Sequence, residues 1–201
     1  MAKIGIMGGT FDPIHLGHLQ MAQESLRQAG LDQVLFMPSK IPPHKRERKI
    51  TPETQRADMV CLAIQGKPEF VYSDVELRRE GTTYTVETLR FLQNGHPAHD
   101  YYFIMGSDSL WQIEQWYQPA EIMKRAVILA VGREGLSARQ MQEKVAQLTE
   151  KYQANIQIID MPRVDISSSQ IRERVQSGQS IEALVPGEVA EYIQRHSLYR
   201  S

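Results

Sequence analysis

The chain has 201 residues, about 1.3 times the length at which one domain is the ordinary expectation, and a chain of that size buries roughly 70% of its unfolded surface. Lys and Arg total 23 against 24 Asp and Glu, a formal charge of -1, so no overall field draws the protein onto nucleic acid or anionic lipid, and any polyanion site is local. The longest aliphatic run, Ala126 to Val131, falls far short of the roughly 18 residues a membrane span needs, no basic-then-apolar leader opens the chain, and the single cysteine, Cys61, can close neither an internal disulfide nor a Cys-x-x-Cys zinc site, which makes a reducing cytoplasm the expected setting.

Short apolar runs alternate with amphipathic stretches along the chain. Lys3 to Met7 reads as a buried strand, Leu16 to Gln28 as a helix and Gln33 to Pro38 as the next strand. Ser39 to Ile50 has no periodicity and carries five Lys/Arg against one Glu, a long charged loop stiffened by Pro42 and Pro43. Thr51 and Pro52 then open a helix to Ile64, as an N-cap followed by proline at the first helical position. Glu69 to Asp74 and Tyr101 to Met105 are strands on either side of a helix over Val86 to Gln93, which Asn94-Gly95 closes. Ala126 to Val131 and Asn155 to Ile159 are the last strands. Ser137-Ala-Arg-Gln140 and Ser167-Ser-Ser-Gln170 match the capping box and open helices toward Tyr152 and Gln176, and Gly187 to His196 is the final helix. Strands alternating with helices predict parallel pairing through right-handed crossovers, hence an α/β, three-layer, doubly wound parallel sheet. One domain over residues 1–201 is expected, with a small helical C-terminal part from about Ile166, and ligands at the C-terminal edge of the sheet.

The residues richest in chemistry lie where the first strand meets the first helix: Gly8-Gly-Thr-Phe-Asp-Pro-Ile-His-Leu-Gly-His18. Such a junction offers backbone N–H groups and a helix dipole to phosphate, and Gly8 and Gly9 allow close backbone approach. The stretch is neither Gly-x-Gly-x-x-Gly nor a Walker A loop. His15 and His18, three apart at a helix start, share a face that leans over the loop, with Gly17 leaving room between them. Zinc is a poor reading, because Asp12 is the one further ligand type nearby. A second phosphate feature is Ile166-Ser-Ser-Ser-Gln-Ile-Arg172, where Ser167 and Ser168 open a helix and Arg172 follows four residues after Ser168 on the same face. Thr82-Thr-Tyr-Thr85 precedes a helix whose first N–H groups can hold an anion, although Thr83 and Thr85 serve equally well as caps. Gly106-Ser-Asp108 follows a strand at the edge where an acidic side chain can take a ribose hydroxyl. Glu114, Asp160 and Asp165 read as solvated charges, and the last helix carries no functional reading of its own.

Gly8 to His18 resembles, across its eleven positions, the first motif of the nucleotidyltransferases with a His-x-Gly-His signature, and among them of the bacterial nicotinate-mononucleotide adenylyltransferases. The resemblance extends in family order to Arg172 and implies a Rossmann-like fold. It implies that Thr10, His15, His18 and Arg172 carry catalysis, with backbone amides around Gly9, Thr10 and Phe11, and Ser167 and Ser168 opposite the histidines, all on the ATP phosphates. Gly8, Gly106, Asp108 and Arg133 fall on the ATP side by the same likeness. Pro42-Pro-His-Lys45 is similar to the family's substrate loop, which implies that His44 and Lys45 meet the mononucleotide phosphate or ribose. Thr85, Asp108, Trp116 and Tyr117 complete that side, the aromatic pair stacking on the pyridine ring.

The implied reaction joins nicotinate mononucleotide to the AMP part of ATP, giving nicotinate adenine dinucleotide and pyrophosphate. The attacking phosphate is already ionised, so neither a general base nor a covalent intermediate is needed. Mg²⁺ is expected to ride on the ATP phosphates with few protein ligands, and no metal site is expected on the chain itself. The expected partners are the two small molecules, with no nucleic acid and no membrane, and the sequence leaves the oligomeric state open, a homo-oligomer included. Adenylylation of phosphopantetheine or of flavin mononucleotide is the nearest rival, against which stand the Pro-Pro-His-Lys loop and the Trp-Tyr pair. A non-catalytic nucleotide- or RNA-binding module is the rival of another class, disfavoured by the charge of -1.

Overall fold

A computed structural model of the chain describes residues 1–40, 50–132, 138–162 and 164–200. Six parallel strands form one sheet: β1 (Lys3–Gly9), β2 (Gln33–Pro38), β3 (Phe70–Tyr72), β4 (Asp100–Gly106), β5 (Val127–Val131) and β6 (Ile156–Ile159), in the order β3-β2-β1-β4-β5-β6. The order reverses at β1, so the chain leaves β1 toward one side of the sheet and β4 toward the other, opening a crevice at their C-terminal ends. The helices are α1 (Leu16–Ala29), α2 (Glu53–Ile64), α3 (Val75–Arg78), α4 (Thr85–Gly95), α5 (Ser107–Gln112), α6 (Pro119–Arg125), α7 (Ala138–Tyr152), α8 (Ser168–Gln176) and α9 (Gly187–Arg195). The expected α/β, doubly wound parallel sheet is the observed architecture.

Strand alternation sorts the core into two layers. Ile104 and Leu129 face one side, where they join Met21, Ala22, Met59, Val60, Ile171, Val189 and Ile193 from α1, α2, α8 and α9. Their neighbours Phe103, Met105, Ile128 and Ala130 face the other, against Leu89, Leu110, Ile122 and Leu148 from α4, α5, α6 and α7. Truncating a fully buried leucine here, such as Leu89, costs about 2–5 kcal/mol. The two C-terminal helices thus share the first layer with α1 and α2 and have no separate core. Among the described residues no helix is long and apolar enough to cross a membrane.

Several local expectations are corrected. Thr51 does not cap α2: Pro52 is the N-cap, and Thr51 instead offers its carbonyl to the Nε of Arg56 at 3.0 Å. Gly95 lies inside α4, which His96 closes, because the His96 N–H still reaches the Leu92 carbonyl. The third strand keeps three of its six expected residues, since it pairs on one side only, with β2. The short helices α3, α5 and α6 and the 3-10 turn Ile113–Gln115 are additions, too brief to show helical periodicity. Glu114 is no lone solvated charge: it accepts Lys144 at 2.7 Å, Lys151 at 2.9 Å and the Tyr152 hydroxyl at 3.2 Å, tying the 3-10 turn to α7. Those donors, Lys144 first, hold its carboxyl down to about 2. The expected box at Ser137 lies outside the described residues.

Candidate active site

The loop leaving β1 is held from below by side chains distant in sequence. Arg56, a guanidinium only 1% exposed, donates from Nη1 to the Thr10 carbonyl at 2.6 Å. Arg172 donates to the Asp12 carbonyl at 2.5 Å and to the Ser169 hydroxyl at 2.8 Å, and the Ser168 hydroxyl donates to the Pro13 carbonyl at 2.9 Å. The C=O and N–H of one trans peptide point in opposite directions, so drawing the Thr10 carbonyl onto Arg56 turns the Phe11 N–H the other way. Phe11 itself takes the left-handed region at φ 49°, an uncommon conformation for a bulky residue, and this drives its ring into the core against Phe36 and edge-on to His18.

The two histidines differ in their placement. His15 is the N-cap of α1, 3% exposed, and its ring stacks on that of His18 at 3.7 Å between centroids. The His15 backbone N–H donates to His18 Nδ1 at 3.3 Å, so in the neutral ring the His18 proton sits on Nε2 and makes that nitrogen a donor. His18 lines a cavity of about 80 Å³ together with Thr10, Asp12, Ser168 and Arg172, while His15 lies behind it as a backing plate. Gly17 does not leave room for a ligand: a Cβ there would meet the His15 ring at 3.1 Å, so the space is already occupied by imidazole.

A second cavity, of about 560 Å³, opens beside the first and shares Thr10 with it. Gly8 and Gly9 form its floor, Thr83 and Thr85 one flank, and Trp116 and Tyr117 another. Its aromatic walls are paired: Trp116 meets Phe103 edge-on at 6.0 Å and Tyr117 leans on Tyr84 at 4.7 Å. Glu76 also lines it, buried, and takes the Thr88 hydroxyl at 2.8 Å; Arg79 in turn donates to Thr88 at 3.3 Å. Burial pushes the Glu76 carboxyl up, against the opposing pull of Thr88 and Arg79.

The structure therefore brings Thr10, His18, Ser168 and Arg172 to one cavity and Gly8, Gly9, Thr10, Thr85, Trp116 and Tyr117 to the other. Ser167 lies outside both, because its hydroxyl accepts the Gln170 N–H as the cap of α8. Gly106 and Asp108 stand at the same sheet edge but line neither cavity, and Asp108 is exposed. His44, Lys45 and Arg133 lie outside the described residues. Sequence reasoning missed Arg56, Glu76, Tyr84 and Phe103. Arg56 left a signal: it occupies the stripe of Arg56, Met59, Val60 and Ala63 on α2, where a charge at a core position calls for a buried partner. Among the described residues no three His, Cys, Asp or Glu side chains gather as a metal site.

A family model described as cytidylyltransferase-like matches residues 6–174. A probable nicotinate-nucleotide adenylyltransferase of Lachnoclostridium phytofermentans is 43% identical over 199 residues, covering 99% of this chain and 100% of that protein. One of Carboxydothermus hydrogenoformans, with the same description, is 44% identical and covers 99% and 98%. Among solved structures, Plasmodium falciparum nicotinic acid mononucleotide adenylyltransferase complexed with NaAD is similar in fold, with a TM-score of 0.81 at 20% identity, covering 99% of this chain and 98% of that one.

Proposed function

The chain belongs to the cytidylyltransferase-like family, in its bacterial nicotinate-nucleotide adenylyltransferase branch, and on that premise we propose that it transfers the adenylyl group of ATP to nicotinate mononucleotide, releasing pyrophosphate and nicotinate adenine dinucleotide. The observation that carries this reading is the pair of cavities joined at Thr10. One is small and lined by His18, Arg172 and Ser168, donors suited to phosphate, and the other is aromatic-walled and wide enough for a ring. Thr10 then stands where the two phosphates meet.

In the proposed step an oxygen of the mononucleotide phosphate attacks the α-phosphorus of ATP in line. The new P–O bond forms as the bond to the β-phosphate oxygen breaks, and no enzyme group becomes covalently attached. His18 Nε2–H and the Arg172 fork donate to oxygens that gain charge as pyrophosphate departs, while His15 keeps the His18 ring oriented. ATP is proposed to arrive as its Mg²⁺ complex, the ion neutralising triphosphate charge. Oxygen is the donor such an ion prefers, and Thr10 and Ser168 are the hydroxyl-bearing side chains that line the smaller cavity. We assign Asp108 to a ribose hydroxyl, Gly106, Arg133 and Ser167 to the ATP side, and His44 and Lys45 to the mononucleotide. We read residues 1–201 as one catalytic domain and place the reaction in the cytoplasm, where an exposed thiol such as Cys61 stays reduced.

The experiment is to follow pyrophosphate release from ATP with nicotinate or nicotinamide mononucleotide as acceptor. Helix-start N–H groups at Thr85 and a backbone N–H near Tyr117 offer donors to a carboxylate, and the Glu76 acceptor in the same cavity is already taken by the Thr88 hydroxyl. The amide would turn its NH₂ toward a donor and leave groups unpaired at about 1–3 kcal/mol each. A preference for the acid of at least roughly 10²-fold in kcat/KM is expected. Equal use of acid and amide would remove the nicotinate assignment, and no pyrophosphate with either would remove the reaction.

A further inference from the structure

The last residues of the chain return to the loop at its beginning. Tyr199 donates its hydroxyl to Asp12 Oδ1 at 2.8 Å, across 187 positions of sequence. Asp12 is 5% exposed and lines the smaller cavity beside His18 and Arg172. Two left-handed residues bend the tail to this point, Ser197 at φ 50° and Tyr199 itself at φ 62°. An aromatic residue held in that region is uncommon and persists where surrounding contacts over-determine it, most often at functional sites. Burial, then the Asp12 charge, pushes the phenol far up, so it remains protonated and a donor; the Thr51 side chain bonds the same oxygen.

Asp12 is gripped at both ends, its carbonyl by Arg172 and its carboxylate by Tyr199. A rotation of the Asp12 side chain would carry a negative charge toward the space that His18, Arg172 and Ser168 enclose. Holding that charge aside matters most for a ligand that is itself polyanionic.

We propose that Tyr199 is a positioning residue for ATP, acting through Asp12 to hold the loop over Thr10 to Pro13 and to keep the Asp12 carboxylate turned away from the triphosphate. This rests on the adenylyl-transfer reading, but the ATP binding it predicts can be measured without turnover. The molecule supplies its own control. Tyr192, on α9, donates to Asp58 Oδ2 at 2.7 Å, a second phenol–carboxylate bond from the C-terminal part, which ties α9 to α2 away from the loop.

Tyr199→Phe and Tyr192→Phe are compared with wild type in thermal melting, in ATP binding by calorimetry without mononucleotide, and in steady-state kinetics. Tyr199→Phe is expected to weaken ATP binding and lower kcat by about tenfold each, the order expected for losing a bond to a charged group, with the KM for mononucleotide unchanged. Tyr192→Phe is expected to melt lower while keeping wild-type kinetics. In an Asp12→Ala background, adding Tyr199→Phe should cost nothing more. The inference is overturned if Tyr199→Phe binds ATP as wild type does, if it raises both substrates' KM alike, or if Tyr192→Phe reproduces its kinetic losses. A wild type that binds ATP yet releases no pyrophosphate would overturn the reaction alone, and the binding comparison would still decide the role of Tyr199.

Discussion

The two cavities that meet at Thr10 are built on opposite plans. The smaller is backbone held by polar side chains: three carbonyl anchors, on Thr10, Asp12 and Pro13, taken by two guanidinium groups and a hydroxyl from other elements, with His18 as its lining imidazole. The larger is side chain held by side chain: Phe103 against Trp116, Tyr84 against Tyr117, and Glu76 on Thr88. Directional charge-assisted bonds fix donors to within a fraction of an ångström, as a transferring phosphoryl group requires, whereas aromatic surfaces tolerate sliding and suit a ring held by its face. On the proposed reaction, catalytic precision and substrate grip fall to different materials.

That contrast breaks most visibly at His18. Replacing it with alanine should lower kcat by roughly 10²- to 10³-fold, the loss of one donor to a developing charge, while the mononucleotide KM and the melting temperature hold. A folded variant with unchanged turnover would sink the assignment of chemistry to the smaller cavity. On the aromatic side the expected loss is smaller and falls elsewhere. Trp116→Ala should raise the mononucleotide KM about tenfold, by the same factor for the acid and the amide, because stacking sees the ring and not its substituent. A changed acid-to-amide ratio in that variant would mean that Trp116 reads the substituent after all.

Glu114 gives the smallest effect and tests what supports the aromatic wall from behind, since it anchors the turn preceding Trp116 to α7. The lysine and phenol donors hold its carboxyl down to about 2, well below the usual carboxylate range, so its stabilising contribution is complete above about pH 4.5 and is lost as pH falls through about 2. Melting curves of Glu114→Gln and wild type should accordingly differ at pH 7 and converge toward pH 2. A gap that stays constant with pH would show that the ion pairs contribute nothing, as exposed pairs often do.

The same contrast explains how much could be read in advance. The smaller cavity draws its floor from one contiguous stretch, Gly8 to His18, and one later helix start, so both were legible as motifs. The larger takes Ser39, Glu76, Thr83 to Thr85, Phe103 and Trp116 to Gln118 from five segments that only the folded sheet brings together. Phe103 in particular reads as one more apolar residue of a buried strand, and nothing in its spacing distinguishes it from Met105 beside it. The six strands were legible because each is a short apolar run, although the edge strands β3 and β6 are only partly buried, not fully so as their composition suggests, and α1 because it has fourteen residues of amphipathic spacing. The helices α3, α5 and α6, at four to seven residues, are set by packing and turn geometry that periodicity does not register. Arg56 is legible as a charge at a core position of α2, but its partner, the Thr10 carbonyl, is a backbone atom that no side-chain pattern announces.

The strand order carries one more consequence. β1 is paired on both sides, with β2 and β4, whereas β3 and β6 form the outer edges. Peripheral strands of such a sheet unzip in local openings that leave the rest intact, but the amides of an interior strand exchange with solvent only when the whole domain comes apart. The loop from Thr10 to His15 is spliced directly onto that interior strand. The β1 amides that anchor the loop are therefore tied to the global unfolding equilibrium, and any ligand that stabilises the folded state raises their protection against exchange in the same measure.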